Sequence, residues 1–400
     1  MKQRILIVGS GFAGMWSALS AARLTDLNQR NDIDITVLAP QPELRVRPRF
    51  YEQNVASLVS PLEPLFAATG INFIAGTVES IDSKEKNIHY HDGVNGVVTL
   101  SYDRLVLATG SHTRRLQIPG LETFTFDVDQ LESAERFEKH LQVLPEQTSS
   151  AARNTVVICG GGFTGIELAT ELPSRLKHLL GEDTQTKVIV VERGDTIGGR
   201  YSDALRAIIE QASEELGVEW KLNAEVASVD ASGVTLKDGR HIPALTVVWT
   251  AGVQANRLTE QLNAGRDQQG RLYVDENLQV AGLPDVYATG DVAHAKTDSL
   301  GNVALMTCQH AIQLGKFAGY NVAASLLNIS PLPYRQENYV TCLDLGAWGA
   351  VYTEGWDQRV KYVREEGKKI KVSINSELIY PPKADRESAL AAADPLAFFV

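Results

Sequence analysis

Short apolar runs closed by glycines recur along this chain, and their spacing predicts alternating strands and helices. Residues 5–8 read as a buried strand, 14–25 as a helix and 33–38 as a second strand. A Pro- and Arg-rich loop follows at 40–48, then β-rich alternation at 73–81 and 87–90, and a buried strand from 104 that ends in the small-residue turn 108–110. After a helix at 132–144 and a polar connector at 145–153, the scheme repeats. Strand 155–159, helix 165–180, strand 187–192 and helix 203–216 lead to strand 246–249 and its turn 250–252. Residues 285–288 read as a strand returning to the first sheet. A helix at 307–327 and a β-rich segment at 339–380, with 370–380 as its last strand, complete the pattern.

The expected fold is α/β: two Rossmann-like dinucleotide-binding domains, one inserted into the other, plus a small C-terminal β-rich segment. The boundaries expected are 1–115 for the first part of the outer domain and 116–252 for the insert. Residues 253–330 form the second part of the outer domain, and 331–400 the C-terminal segment and tail.

Both repeats open on the same chemistry. Gly9-Ser10-Gly11-Phe12-Ala13-Gly14 and Gly160-Gly161-Gly162-Phe163-Thr164-Gly165 each join an apolar strand to a helix. There, glycines allow a sharp turn, close approach of a pyrophosphate and tight strand–helix packing. The helix N-terminus adds free N–H groups and the positive end of its dipole. One such turn is weak evidence; two, each in the right context, imply two dinucleotide sites in one chain. One dinucleotide can then donate a hydride and the other act as a bound redox relay.

Composition narrows the partners. A formal charge of −11 over 400 residues argues against nucleic acid and against attraction to anionic lipid. Cys159, Cys308 and Cys342 form no C-x-x-C pair, which fits a reducing cytoplasm, and the eight histidines show no metal-ligand spacing, so no metal is expected. Lys2 and Arg4 ahead of an Ala-rich stretch mimic a signal peptide, but the glycine turn inside that stretch favours strand–turn–helix. No apolar run is long enough to span a membrane. The expectation is a soluble, cytoplasmic protein with at most weak peripheral membrane contact. A homodimer stays open.

Individual residues carry competing readings. Glu192, at the end of the insert's second strand, can accept both ribose hydroxyls of an adenosine and repel a 2′-phosphate, which favours NADH; an exposed strand-end acid is the bland alternative. The matching place in the first unit holds Ala39-Pro40, with no carboxylate. Either Glu43 substitutes from the loop or that adenosine end is held less tightly. Arg45, Arg47 and Arg49 alternate, so an extended backbone puts them on one face, to neutralise phosphates or an acidic acceptor, or simply to face water. Asp291, after Gly290, can bond ribitol hydroxyls or cap a helix. Gln309 and Gln313, four apart, share a helix face and can present amides to a carbonyl-bearing acceptor, or be solvated glutamines.

The ordered set Gly9–Gly14, Tyr102–Gly110 (with Ala108, Thr109 and Gly110 at its end), Gly160–Glu167, Trp249-Thr250-Ala251-Gly252-Val253 and Ala288–Asp291 resembles the two-dinucleotide-binding flavoproteins. Among them it is most similar to the type II NADH dehydrogenases, non-proton-pumping NADH:quinone oxidoreductases, over about residues 1–330. The resemblance implies FAD and NAD(H) as cofactors, with hydride passing from NADH to flavin and two electrons then to a quinone or similar small acceptor. It places Gly9, Gly11, Phe12, Ala13, Gly14, Arg47, Ala108, Thr109, Gly110, Gly290 and Asp291 on FAD. Gly160, Gly162, Phe163, Thr164, Gly165, Glu192, Ala251 and Gly252 fall on NAD. Glu167 falls where nicotinamide and flavin meet, as a proton relay; its plain alternative is a first-turn acid favoured by the helix dipole. Residues 308–315 resemble the family's quinone-site helix A-Q-x-A-x-Q-Q, departing at Cys308 and Leu314.

The C-terminus departs further. In place of the family's amphipathic membrane helices stand a strand, Pro381-Pro382, a short Ala-rich helix and the apolar tail 396–400, too short for an anchor. The tail is expected to plug a groove, a subunit interface or the acceptor site. Rival functions are reduction of a small redox protein of rubredoxin type and a non-catalytic NADH sensor like apoptosis-inducing factor. Sulfide:quinone oxidoreductases share the architecture but need cysteines flanking the flavin.

Overall fold

The computed structural model describes residues 2–94 and 96–397. Strand Gln3–Val8 lies at the centre of a five-stranded parallel sheet. Ile33–Ala39 and then Asn72–Ala75 flank it on one side, and Arg104–Leu107 and Val286–Ala288 on the other. Alternation along the central strand explains its position. Ile5 and Ile7 point into a core shared with helices Phe12–Leu27 and Cys308–Leu327. Leu6 and Val8 point to the opposite face, where Ile81, Ile88 and Tyr90 of the antiparallel strands Thr77–Asp82, Asn87–His91 and Val97–Ser101 cover them.

The insert repeats this plan. Its four parallel strands run in the order Val218–Lys221, Lys187–Val191, Thr155–Cys159, Thr246–Trp249. Val156 and Ile158 face helix Phe163–Leu180, while Val157 and Cys159 face a second small antiparallel sheet. The chain therefore leaves the first sheet after Leu107, builds the second, and returns at Val286. Both glycine-turn helices begin two residues earlier than the pattern suggested.

The helices Phe12–Leu27 and Cys308–Leu327 approach backbone to backbone. A Cβ on Gly315 would lie 2.6 Å from the Ala13 carbonyl oxygen, and one on Gly319 only 2.1 Å from that of Ser17. Ser17 seals the crossing by donating its hydroxyl to the carbonyls of Ala13 and Gly315. This contact fixes the middle of the late helix against the first turns of the helix that follows the first glycine turn.

The C-terminal part corrects the sequence expectation. Strands Val340–Asp344, Ala350–Glu354 and Arg359–Val363 form an antiparallel sheet, but residues 370–380 are not a strand. They continue helix Arg364–Ser373 and a single π-turn, Ile374–Leu378. Ile370, Val372 and Ile374 alternate like a strand, yet Val372 is exposed, and the buried stripe is Gly367, Lys371, Asn375 and Ile379, four residues apart. Polar side chains buried for their partners concealed the helical period. The Ala-rich helix is Arg386–Ala392, docked on the first glycine-turn helix with Ala389, Leu390 and Ala393 in the core. Of the tail, 398–400 lie outside the described residues. Among those described, no helix is long and apolar enough to cross a membrane.

The helix crossing yields a direct test. Gly319→Val forces the two backbones apart and is expected to lower stability by about 1–3 kcal/mol. A lowered thermal unfolding midpoint checks it; an unchanged midpoint contradicts the close approach.

Candidate functional site

Both glycine turns open into one cleft of about 1810 Å³. Backbone contact shapes each turn. A Cβ on Gly14 would sit 1.9 Å from the Gly9 carbonyl oxygen, and one on Gly165 2.0 Å from that of Gly160. Gly9 and Gly160 have φ of +111° and +120°, closed to other residues without strain. Around Gly11 and Gly162, by contrast, a Cβ would meet nothing within 4 Å. Gly11 and Gly162 are also the N-cap residues of their helices, and neither helix has a side-chain cap. Unpaired N–H groups and a positive dipole end thus face open space at both turns, which fits a pyrophosphate at each.

The turns after neighbouring strands complete the walls. Ala108, Thr109 and Gly110 pack beside Gly9, where a Cβ would meet the Ala108 carbonyl oxygen at 2.4 Å. Gly290 lies against Ala13, and Asp291 follows it on the cleft wall. The hydroxyls of Thr109 and Thr289 are buried without a hydrogen-bond partner. In the insert, Gly160 is pressed on Ala251, and Gly252, Phe163 and Thr164 line the same wall. Glu192 accepts from the N–H of Gly161 at 2.7 Å and of Gly194 at 2.8 Å, which holds its carboxylate at the turn.

The arginines do not share one face. The extended backbone ends at Arg45, and Arg47-Pro48-Arg49 forms a 3-10 turn because proline cannot continue the ladder. Each is paired separately: Arg45 with Glu43 and Glu132, Arg49 with Glu52. Arg47 reaches Asp129, the Ser111 hydroxyl at 2.8 Å and Asp291 at 3.5 Å, on the cleft wall. Asp291 also accepts from Ser111 at 2.6 Å, and burial, against the pull of Arg47, raises its carboxyl above the usual range.

The two glutamines separate as well. Gln309 lines the cleft, but Gln313 is buried one turn further on and donates its amide to the Pro395 carbonyl at 2.8 Å. Gln313 therefore has its amide N–H engaged by the C-terminal segment rather than turned to the cleft. Lys316 follows it, donating to the Ala397 carbonyl at 3.4 Å.

Glu167 has a partner that the strand reading of 370–380 hid. Lys371, buried on the π-turned helix, donates to its carboxylate at 2.8 Å and to the Cys342 carbonyl at 3.2 Å. The Asp344 N–H adds a third bond, to Glu167 at 3.0 Å. Burial raises the Glu167 carboxyl to about 7, against the pull of Lys371; the Glu167 carboxylate in turn offsets burial and keeps Lys371 charged. Both line the cleft, as do Cys308 and Cys342. Burial lifts those two thiols to about 11 and about 12, and Cys159 to about 12, so none stands as a thiolate near neutrality.

The chain is similar to known proteins over nearly its whole length. Residues 3–315 match the pyridine nucleotide-disulphide oxidoreductase family. An NADH dehydrogenase-like protein of Mycobacterium tuberculosis is 41% identical over 397 residues, covering 98% of each chain. A demethylphylloquinone reductase of Synechocystis is 28% identical over 358 residues, covering 88% of this chain and 86% of its own. In fold, the chain is similar to the NDH2 of Plasmodium falciparum solved with NADH, with a TM-score of 0.80, 15% identity and 98% of each chain covered.

The Glu167–Lys371 contact makes a stability prediction. Lys371→Met leaves a buried carboxyl unpaired and is expected to cost about 3–5 kcal/mol at neutral pH. Glu167 must then stay protonated to remain buried, so the loss grows as pH rises. Denaturant unfolding of Lys371→Met and of Glu167→Gln/Lys371→Met checks this. The double variant is expected to recover most of the loss, and a single variant as stable as the parent contradicts it.

Proposed function

The chain belongs to the pyridine nucleotide-disulphide oxidoreductase family, and from that premise we propose that NADH is its electron donor and a quinone its acceptor. It is an FAD-dependent NAD(P)H oxidoreductase. On this reading FAD lies on the first glycine turn, held by the N–H groups of Gly11, Phe12 and Ala13 and flanked by Ala108–Gly110, Arg47 and Gly290–Asp291. When bound, FAD supplies the two-electron chemistry that links donor to acceptor.

NADH occupies the second turn. The N–H groups of Gly162, Phe163 and Thr164 meet its pyrophosphate, with Ala251 and Gly252 alongside. Glu192 accepts its adenosine ribose hydroxyls. A 2′-phosphate would bring negative charge against that carboxylate, so NADPH is disfavoured.

One observation carries the acceptor class: the buried Glu167–Lys371 pair on the cleft wall shared by both turns. Reducing a quinone takes two protons as well as two electrons; the hydride of NADH brings both electrons and one of the hydrogens, so one further proton is needed. Glu167, poised near 7, can hold a proton at its carboxyl and release it, while the Lys371 ammonium and the Gln309 amide can donate hydrogen bonds to a carbonyl oxygen. Similarity to the demethylphylloquinone reductase supports the same class. Gln313 has no contact with the acceptor in this reading.

Anaerobic reduction of the flavin-loaded protein by NADH, followed by mixing with a soluble quinone, tests it. Rapid reoxidation is expected, falling as pH rises through about 7 because Glu167 loses its proton there. Glu167→Gln is expected to slow reoxidation at least tenfold and remove that inflection. Slow reoxidation by every quinone, with fast reoxidation by a small redox protein, contradicts the proposal. For the donor, Glu192→Gln is expected to reduce the preference for NADH over NADPH about tenfold in kcat/KM; an unchanged ratio contradicts its role.

A further inference from the structure

The first glycine turn lacks the carboxylate that the second one has. Val8 pairs with Leu38 and Cys159 with Val191, each just before a glycine turn, so Ala39 occupies the place of Glu192. Ala39 is buried and brings only a methyl group. Nothing on that strand end can accept two ribose hydroxyls.

The segment after Ala39 takes another path. Ser10, the counterpart of Gly161, donates its hydroxyl to the carbonyl oxygens of Gln41 and Glu43, both at 3.1 Å. These bonds fasten residues 41–43 to the turn itself. Glu43 then lies on the cleft wall, its carboxylate held by Arg45 Nε at 2.8 Å. Arg45 is anchored in turn on Glu132 at 2.8 Å. Among the described residues, Glu43 supplies the cleft-wall carboxylate on the segment that Ser10 ties down. Arg45 engages one carboxylate oxygen, which leaves the other to accept, and its charge offsets the repulsion a bare carboxylate would exert on a nearby pyrophosphate.

We propose that Glu43, oriented by Arg45, accepts the adenosine ribose hydroxyls of FAD, four positions beyond the place where the second unit carries Glu192. The proposal rests on the FAD reading above. Glu43 is the binding residue, and Arg45 and Ser10 position it.

Flavin binding tests this without any turnover. The flavin-free full-length chain is titrated with FAD, with an FAD analogue carrying 2′-deoxyadenosine, and with FMN, which has no adenosine. In the parent chain, the deoxy analogue is expected to bind several-fold more weakly than FAD. Glu43→Ala is expected to weaken FAD about tenfold or more, leave FMN unchanged and abolish the difference between FAD and the analogue. Glu43→Gln, which keeps one acceptor oxygen, is expected to fall between. Unchanged FAD affinity in Glu43→Ala overturns the proposal. So does equal weakening of FAD and FMN, which would mark Glu43 as a loop-folding residue. Failure of the parent chain to bind any flavin overturns the FAD reading itself.

Discussion

Two helix N-termini without side-chain caps, facing one cleft, are the constraint from which the rest of the structure follows. An uncapped N-terminus leaves backbone N–H groups unpaired, and it persists where water or an anion can satisfy them. Keeping those groups clear requires turns with no side chains in the way, hence Gly11 and Gly162. Holding each helix close enough to its strand requires the tight pairs Gly9–Gly14 and Gly160–Gly165. The two parallel sheets hold these turns in place, and the helix crossing at Gly315 and Gly319 braces the first of them.

The two turns are not equivalent. Glu192 closes the second by bonding Gly161 and Gly194 from its own strand end. The first has no such group at Ala39 and instead ties down the following loop through Ser10. Between them, Glu167 and Lys371 form a buried ion pair on the cleft wall. An interior pair of this kind contributes little net stability, because desolvation cancels much of the attraction. A carboxyl that burial raises to about 7 can take up and release a proton near neutrality.

Much of this was legible in the residues themselves. The glycine turns, the alternating apolar strands and the return at Val286 follow from period and punctuation, since those signals are local. What escaped was long-range. Lys371 was invisible because Ile370, Val372 and Ile374 alternate like a strand, whereas burial follows Gly367, Lys371, Asn375 and Ile379. A lysine can be buried there because Glu167, 204 positions away, and the Cys342 carbonyl receive it. Gln313 is set apart by the same kind of contact: helical spacing puts it beside Gln309, but the Pro395 carbonyl takes its amide N–H. The three arginines looked like one charged face until Pro48 turned the backbone and separate carboxylates claimed each.

Two separate dinucleotide sites in one chain are the central claim, and binding stoichiometry tests it most directly. Calorimetric titration of the flavin-loaded chain with NAD⁺ is predicted to show one NAD⁺ per chain, with the flavin retained throughout. Displacement of FAD by NAD⁺, or no binding of NAD⁺ at all while FAD is bound, would contradict it.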